Sequence, residues 1–422
     1  MKLDGFVRVL PRLVLLFVMA CQHDAHAQEQ AQAGTADSNL AAQVLTPVGT
    51  TYPYTQQLQW LDSGRFIVGR LDGSMTFFRP PGPTEWGPML TDVLRTPANR
   101  GVEMMAVRDE RTFVTSNDST TITLWRERDT ALQEDAEPTH LDRLPRAFRF
   151  ENFAYDADVG TANSGVFVVH ANREYLVTGH ENGFVLIWNV SRNGRQLAVL
   201  KKLNVRSPDP IPSPFQLWNV RDIVAWRDGI VITGAEDGDL VMLQLPQGNV
   251  LARKRYNPAA QRGINGLAIL DDHLVAVACS VGPADKNTWL FRVRPAEFQS
   301  QGSVDLKQNL ALPQSFAFRA AMARVGGQPY VFATTQEGLL WTVLVTPDGQ
   351  LQVQASSSVD FPIGEAIDYN PTTSQLAAVG VLVNLFNVAA PAPAAPAPRK
   401  QAAPKVAPPQ APSLRPEPAP AN

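Results

Sequence analysis

The chain has 422 residues, of which 44% are hydrophobic and 18% are charged, so it carries enough apolar side chains to fill the core of a globular protein. Its formal net charge of −3 gives no reason to expect binding to nucleic acid, which usually requires a basic surface. The two cysteines, Cys21 and Cys279, are too few for a disulfide framework.

Residues 1–27 have the features of an export signal. Basic residues precede an apolar core at Leu13–Ala20, which is much shorter than the roughly 20 residues that cross a bilayer, so no membrane span is predicted. Ala25-His26-Ala27 supplies a small-x-small cleavage site, and the mature chain is expected to begin at Gln28 in the periplasm or outside the cell. The alternative is an outer-membrane lipoprotein that is lipid-anchored at Cys21.

The repeat domain is predicted to span residues 40–388. Before it, residues 28–39 are polar and rich in Ala and Gln, which indicates a flexible lead-in. Within it, Leu40–Val48 is expected to form the outer strand of the last repeat, because no further strand follows Val388. Strands from both ends of the chain would then complete one sheet and leave no open edge.

A hairpin signal recurs along this domain. In EYLVTGHENGFVLIWNV, residues 174–190, two apolar runs flank Asn182-Gly183, a dipeptide that accepts the positive φ angles of a tight turn. Strong and weak copies of this signal predict seven units of roughly 45–60 residues, a period typical of a propeller or solenoid. Four alternating strands per unit predict an all-β fold: a seven-bladed β-propeller with four-stranded blades.

The stretch TGHENGFVLIWNV, residues 178–190, resembles the blade signature of WD40 repeats, in which a glycine turn precedes a strand that ends in Trp. The resemblance covers residues 45–388 but is close only in the third unit, and it implies a divergent, exported bacterial member of this propeller family. WD40 blades also carry a Gly-His pair before the innermost strand. Here Gly179-His180 lies in the later turn, so the structural Ser/His/Asp/Trp hydrogen-bonded set of that family is not expected.

Irregular connections are where a regular scaffold usually places its function. Three of them stand out, at residues 128–163, 207–218 and 280–288, and the last two are expected at the same face of the ring as the second-to-third strand turns. This insertion-bearing face is the predicted partner-binding rim. Its predicted contact residues are Phe215, Trp218, Arg262 and His180.

Catalytic and cofactor motifs are absent from the sequence. It contains no phosphate loop, dinucleotide fingerprint, nucleophile elbow or Cys-x-x-Cys pair, and His180-Glu181 lacks the second His of a zinc motif, so no catalytic residue, metal or cofactor is predicted. Cys279 is expected to be a buried free thiol without a His base. Arg253-Lys254-Arg255, on a predicted outermost strand, is interpreted as protection against edge pairing, with a basic docking site as the alternative.

Residues 389–422 are rich in Pro and Ala and cannot build a core. They are expected to form a disordered tail that reaches about 100 Å at ~3.1 Å per residue, either toward an envelope partner or as a solubilising end. The leading hypothesis is a monomeric, non-enzymatic propeller that binds another protein of the bacterial cell envelope. Two alternatives stay open: a propeller enzyme of the lactonase or quinone-dependent dehydrogenase type, and a cell-wall glycan-binding module that uses Trp86 and Trp218.

Overall fold

Alternating apolar and β-branched residues, interrupted by glycine turns, produce an all-β structure. The computed structural model describes residues 45–51, 55–82, 84–85, 88–96, 100–127, 148–211, 218–281, 285–309, 312, 314–359, 366–379 and 382–389. The predicted leader, lead-in and tail, Phe215, Trp86 and residues 128–147 lie outside this part of the chain.

The first four sheets are antiparallel meanders of four strands each. The first contains β2 (Thr55–Trp60), β3 (Phe66–Arg70), β4 (Ser74–Arg79) and β5 (Met89–Arg95), and the second contains β6 (Met104–Asp109), β7 (Thr112–Ser116), β8 (Thr121–Glu127) and β9 (Phe148–Ala154). The third contains β10 (Ala162–His170), β11 (Arg173–His180), β12 (Phe184–Val190) and β13 (Leu197–Asn204), and it is preceded by a short 3-10 helix at Ala157–Val159. The fourth contains β14 (Val220–Ala225), β15 (Ile230–Ala235), β16 (Asp239–Gln244) and β17 (Asn249–Arg255).

The next two meanders are joined into one eight-stranded sheet. It contains β18 (Ile264–Leu270), β19 (His273–Val281), β20 (Thr288–Arg294), β21 (Glu297–Val304), β22 (Gln314–Val325), β23 (Gln328–Thr335), β24 (Leu339–Val345) and β25 (Leu351–Ser358). The link is made by the end of β19, where Cys279–Val281 pairs with Gln314–Phe316 at the start of β22. The prediction of seven four-stranded blades is therefore wrong in number. The described strands form five four-stranded sheets, and the predicted fifth and sixth units share the eight-stranded one.

The last sheet combines both ends of the described chain. It contains β26 (Ile367–Asn370), β27 (Gln375–Val379) and β28 (Val383–Val388), and its outer strand is β1 (Leu45–Thr51), which pairs antiparallel with β28. The predicted closure by an N-terminal strand is confirmed, with the described part of that strand beginning at Leu45. Innermost strands of successive units contact one another, and β26 contacts β2, so the ring is closed.

The hydrophobic core is divided among the spaces between neighbouring sheets. Ile232 and Met242 of the fourth sheet, for example, pack in one cluster with Leu274 and Phe291 of the sheet that follows. Middle strands are covered on both sides, and in β15 every residue is therefore buried. The sheets therefore stabilise one another face to face, at about 25 cal/mol for each Å² of apolar surface removed from water, and the polar turns remain at the two ends of the ring.

Candidate protein-binding face

The three predicted contact residues that the structure describes lie in or next to the β11–β12 turn, the β13–β14 connection and the β17–β18 connection. Trp218 lies two residues before β14, Arg262 lies two residues before β18, and both are partly exposed. His180 ends β11 and is fully buried. Phe215 lies outside the described residues. Two of the four predicted residues thus reach the surface of this face.

Trp218 belongs to a stack of aromatic and cationic side chains. The guanidinium of Arg206 lies 4.6 Å from the centroid of the Trp218 ring and 5.2 Å from the centroid of the Phe184 ring. The ammonium of Lys202 lies 5.1 Å from the same Phe184 ring. Each cation faces the negative π-surface of a ring, an attraction worth roughly 0.5–1 kcal/mol at exposed sites. We call Trp218, Arg206, Phe184 and Lys202 the aromatic–cationic stack.

Both cations of the stack are also fixed by oxygen atoms. Arg206 donates from Nε to the backbone carbonyl of Asn182 over 2.6 Å. Lys202 Nζ lies 3.1 Å from Asp156 Oδ2 and 2.7 Å from Asp158 Oδ1, on the short helix that precedes the third sheet. These pairs neutralise the lysine locally. The stack is consequently a rigid aromatic surface with one dominant cation, Arg206.

A single glycine makes the stack possible. Gly183 adopts φ +71° in the β11–β12 turn, a conformation that L side chains rarely accept. A Cβ at this position would also collide with Arg206 Cγ and lie 3.0 Å from Trp218 Cβ. The Asn-Gly turn predicted from the sequence therefore reverses the chain and also leaves the space in which Arg206 and Trp218 pack against Gly183.

The connection that leads to Trp218 is anchored by a buried carboxylate pair. Asp237 accepts the Ser207 N–H at 2.7 Å through Oδ2, and burial raises the pKa of Asp237 to about 6. Beside it, Asp239 is 4% exposed and forms ion pairs with Arg253 at 2.9 Å and with Arg255 at 3.2 Å. Both arginines also donate to the connection, Arg253 to the carbonyl of Val205 over 3.0 Å and Arg255 to Ser207 Oγ over 3.3 Å.

These contacts add a second role to the predicted protection of the strand edge by Arg253-Lys254-Arg255. Arg253 and Arg255 hold the connection between the third and fourth sheets in place. Lys254 donates to the carbonyl of Phe298 over 2.9 Å, in the adjacent eight-stranded sheet. Besides the ion pairs that the two arginines form with Asp239 in their own sheet, all three side chains bond to acceptors outside that sheet. The outside acceptors lie 44–48 residues away, so the sequence pattern could not reveal them.

His180 is not a surface residue, and its prediction as a rim contact is wrong for this reason. Trp188 Nε1 donates to Thr178 Oγ1 over 2.9 Å, and Thr178 Oγ1 lies 2.8 Å from His180 Nε2. His180 Nδ1 lies 3.2 Å from the Gly160 carbonyl, so this nitrogen carries the proton. Burial lowers the pKa of His180 to about 4, partly opposed by that carbonyl, and the imidazole is neutral at pH 7.

The third sheet thus contains a Trp–Thr–His hydrogen-bonded chain. From the sequence no such set was expected, because His180 lies in a different position from the WD40 histidine. Thr178 and His180 are two residues apart on β11, so both side chains project from the same face of the strand and can meet. Trp125 and Trp341 make related bonds to threonine hydroxyls in other sheets, to Thr115 at 3.0 Å and Thr335 at 3.1 Å.

Arg262 lies apart from the aromatic–cationic stack. Its backbone carbonyl accepts the Tyr256 hydroxyl at 2.7 Å, and its charge opposes the effect of burial, which raises the pKa of Cys279. Cys279 is 3% exposed and free, as predicted. Within the described residues, no ring contact or ion pair joins Arg262 to Trp218.

Between Arg262 and the stack lies a charged pair that the sequence analysis missed. Arg221 Nε is 3.6 Å from Glu236 Oε1, and the backbone N–H of Glu236 donates to the carbonyl of Asn219, the residue after Trp218, over 2.9 Å. Gly263 has no Cβ, and one there would collide with the Glu236 backbone. The pair is formed by Arg221 on β14 and by Glu236 in the turn that follows β15, 15 positions away, and no sequence motif marks it.

Polar side chains in the central channel accept hydrogen bonds from the backbone of neighbouring units. The channel has a volume of about 440 Å³ and is lined by the innermost strands, with Asp222, Asp368 and Arg319 among the lining residues. Asp222 Oδ2 accepts the Leu267 N–H at 2.7 Å and Asp368 Oδ2 accepts the Trp60 N–H at 2.8 Å, each from the neighbouring unit. Among the residues that the structure describes, no group of three or more His, Cys, Asp or Glu side chains could hold a metal ion.

Of the comparisons with known proteins, the one with solved structures identifies the fold. No family model matches the chain, and no curated protein matches it. Among solved structures it is similar to U3-55K, with a TM-score of 0.58, 13% identity and coverage of 82% of this chain and 98% of that one. The RRP9 WD40 repeats give 0.58 and 12%, covering 84% and 99%, and the WD40 β-propeller domain of Doa1 gives 0.55 and 10%, covering 81% and 96%.

These similarities, together with the closed ring of sheets, show a β-propeller fold of the WD40 type. The identities of 10–13% establish the fold alone. Within the described residues, no helix combines the length and the apolar character needed to cross a membrane.

Proposed function

We propose that this protein is a non-enzymatic binding propeller that holds another protein on the face that carries the aromatic–cationic stack. The observation that carries the proposal is the Arg206 guanidinium held between the Trp218 and Phe184 rings. Trp and Arg are the residue types most enriched among the energetic hot spots of protein interfaces. A surface of this composition is suited to a protein partner.

The stack is also pre-organised, which lowers the entropic cost of binding. Arg206 is fixed to the Asn182 carbonyl, and the connection that carries it is held by Asp237 through Ser207. A partner would therefore meet side chains that are already in position. WD40-type propellers commonly present partner-binding residues at such turn faces, and the fold gives this chain the same rigid scaffold.

The test compares two tryptophans that share the same local chemistry. Trp218 is covered by Arg206 at 4.6 Å, and Trp226, at the opposite end of β14, is covered by Arg227 at 4.4 Å. The full chain is used as bait on envelope extracts, with Trp218→Ala and the matched control Trp226→Ala. Truncating a hot-spot tryptophan costs about 2 kcal/mol or more, so we expect a roughly 30-fold loss of affinity for the captured partner only in Trp218→Ala.

Two outcomes would contradict the proposal. One is a partner that is retained equally by wild-type protein and Trp218→Ala. The other is a partner that is lost only from Trp226→Ala, which would place binding at the opposite face. Urea denaturation of both variants shows whether the fold is preserved, so a loss of binding cannot be attributed to unfolding.

We further propose that the protein acts in the bacterial cell envelope, after export directed by residues 1–27. The support is the sequence pattern of that segment, with its short apolar core and its Ala25-His26-Ala27 site. Mass spectrometry of the protein purified from its native cells tests this. A mature chain that begins at Gln28 supports export as a free protein, a lipidated Cys21 supports membrane anchoring, and an intact Met1 would contradict export.

A further inference from the structure

A second pocket lies at the end of the ring opposite to the aromatic–cationic stack. It is open to solvent, has a volume of about 570 Å³, and lies between the β10–β11 turn and the β16–β17 turn. Its lining residues are His170, Ala171, Arg173, Tyr175 and Gln244 to Gln247. No Asp or Glu lines this pocket, although the protein as a whole has a net negative charge.

The local backbone places the two basic residues of this pocket side by side. Ala171 and Asn172 adopt φ 49° and 59°, the pair of positive angles typical of a two-residue hairpin turn. This turn sets His170 directly opposite Arg173 in the β10–β11 pairing. Directly opposed residues project from the same face of a sheet, so both side chains flank the same space.

The imidazole of His170 is held by the neighbouring sheet. It lies against Gly229, where a Cβ would collide with His170 Cγ. Gly229 adopts φ +71°, so a glycine is required there for both the turn and the close approach. Contact with Gly229 therefore fixes the position of the His170 ring, which lines the pocket.

The free hydrogen-bond donor of this pocket is Arg173, because the side-chain amide of Gln244 already donates to backbone carbonyls. Arg173 is exposed, and within the described residues no hydrogen bond or ion pair involves its guanidinium. The adjacent Glu174 binds Arg108 at 2.7 Å instead. The side-chain amide of Gln244 donates to the carbonyls of Asp228 and Leu245, over 3.0 and 3.2 Å. In the part of the chain that the structure describes, Arg173 has no carboxylate partner, and no acid lines the pocket. The planar fork of N–H donors on the Arg173 guanidinium matches two oxygens of a carboxylate or phosphate group.

We infer that this pocket binds a small oxyanion, either a carboxylate or a phosphate ester, with Arg173 as its principal ligand and a ring nitrogen of His170 as a second contact. The site is independent of the protein-binding face. It lies at the other end of the strands, and its residues contribute nothing to the stack.

Calorimetric titration of the full chain with citrate and with glycerol phosphate tests the inference. The variants are Arg173→Gln, His170→Gln and the control Arg192→Gln, which removes an exposed arginine from another turn of the same sheet. Loss of a charge-assisted contact is expected to weaken binding about fivefold or more in Arg173→Gln, less in His170→Gln, and not in Arg192→Gln. The probe that binds more tightly identifies the chemical class.

Three results would overturn the inference. They are the absence of saturable binding of both probes up to about 10 mM, a concentration that would detect even a weak site, unchanged affinity in Arg173→Gln, or equal loss in Arg173→Gln and Arg192→Gln, which would indicate only general attraction to positive charge. Arg173 is exposed at the start of a strand, so its replacement should leave the fold intact. Far-ultraviolet circular dichroism verifies this.

Discussion

Replacing Asp368 with Asn should change how the stability of the ring depends on pH. Asp368 lies on β26, where the last sheet meets the first. Its Oδ2 accepts the Trp60 N–H at 2.8 Å, and the Trp60 indole donates to the Asp368 carbonyl over 3.0 Å. Burial raises the pKa of Asp368 from 3.8 to about 6, while the hydrogen bonds from Trp60 and Tyr369 oppose that shift.

The sign of the effect follows from proton linkage. Between its unfolded and folded pKa values, Asp368 binds more protons in the folded state, so stability is greatest below pH 3.8 and falls as the pH rises through about 6. A shift of about 2 units corresponds to roughly 3 kcal/mol at most. Because the side chain is partly accessible from the channel, we expect about 1–3 kcal/mol.

Asp368→Asn removes this ionisation and keeps an oxygen that can accept the Trp60 N–H. The wild-type protein loses this contribution as the pH rises from 4 to 8, and the variant does not. The free energy of unfolding of the variant minus that of wild type should therefore be about 1–3 kcal/mol larger at pH 8 than at pH 4. Urea denaturation at both values, with Asp62→Asn as an exposed control, measures this difference. If the wild-type and Asp368→Asn curves run parallel across this range, the reasoning is refuted.

Two further substitutions test the site and the core. Gly183→Ala should lower the free energy of unfolding by about 1–3 kcal/mol, because it strains a positive-φ turn and displaces Arg206, and partner affinity should fall with it; an unchanged urea midpoint would argue against this packing. Trp188→Phe should cost about 2–3 kcal/mol, because it removes the bond to Thr178 and leaves unfilled volume in the core. A cost below about 0.5 kcal/mol, at an unchanged denaturant slope, would show that the Trp–Thr–His chain contributes little.

Local turn chemistry explains why much of the fold could be predicted. The Asn182-Gly183 signal correctly located a hairpin, and the two apolar runs that flank it form β11 and β12. Closure by an N-terminal strand also followed from a missing partner in the last repeat, and β1 supplies it. These inferences depend on neighbours in sequence or on a simple count of strands.

The joining of two units into one sheet could not be predicted in the same way. It depends on Cys279–Val281 and Gln314–Phe316, which lie about 35 residues apart and carry no turn or motif that links them. Buried polar side chains stabilise the junction. Ser280 Oγ donates to the carbonyl of Ser315 over 3.4 Å, and Asn287 donates to Ser315 Oγ over 2.8 Å. Such bonds become visible only when the sheets are in place.

The misassignment of His180 has a similar cause. A strand with one face in water alternates between buried and exposed residues, and this alternation allows exposure to be inferred from sequence. In β11 the residues from Tyr175 to His180 are all buried, because sheets cover both of its faces. The alternation is therefore lost, and a histidine beside a turn has the same sequence signature whether it faces solvent or closes a hydrogen-bonded chain.

The hydrogen bonds around the channel explain why recognition is expected at the ends of the ring rather than at its axis. Gln59 accepts the Val107 N–H at 2.7 Å, Asp222 accepts that of Leu267, and Asp368 accepts that of Trp60, so each joins one unit to the next. A buried N–H without a partner costs about 1–3 kcal/mol, so these acceptors cannot be diverted to a ligand without weakening the ring. The turns at the ends of the ring do not provide these hydrogen bonds between units, so their side chains can differ from one unit to the next.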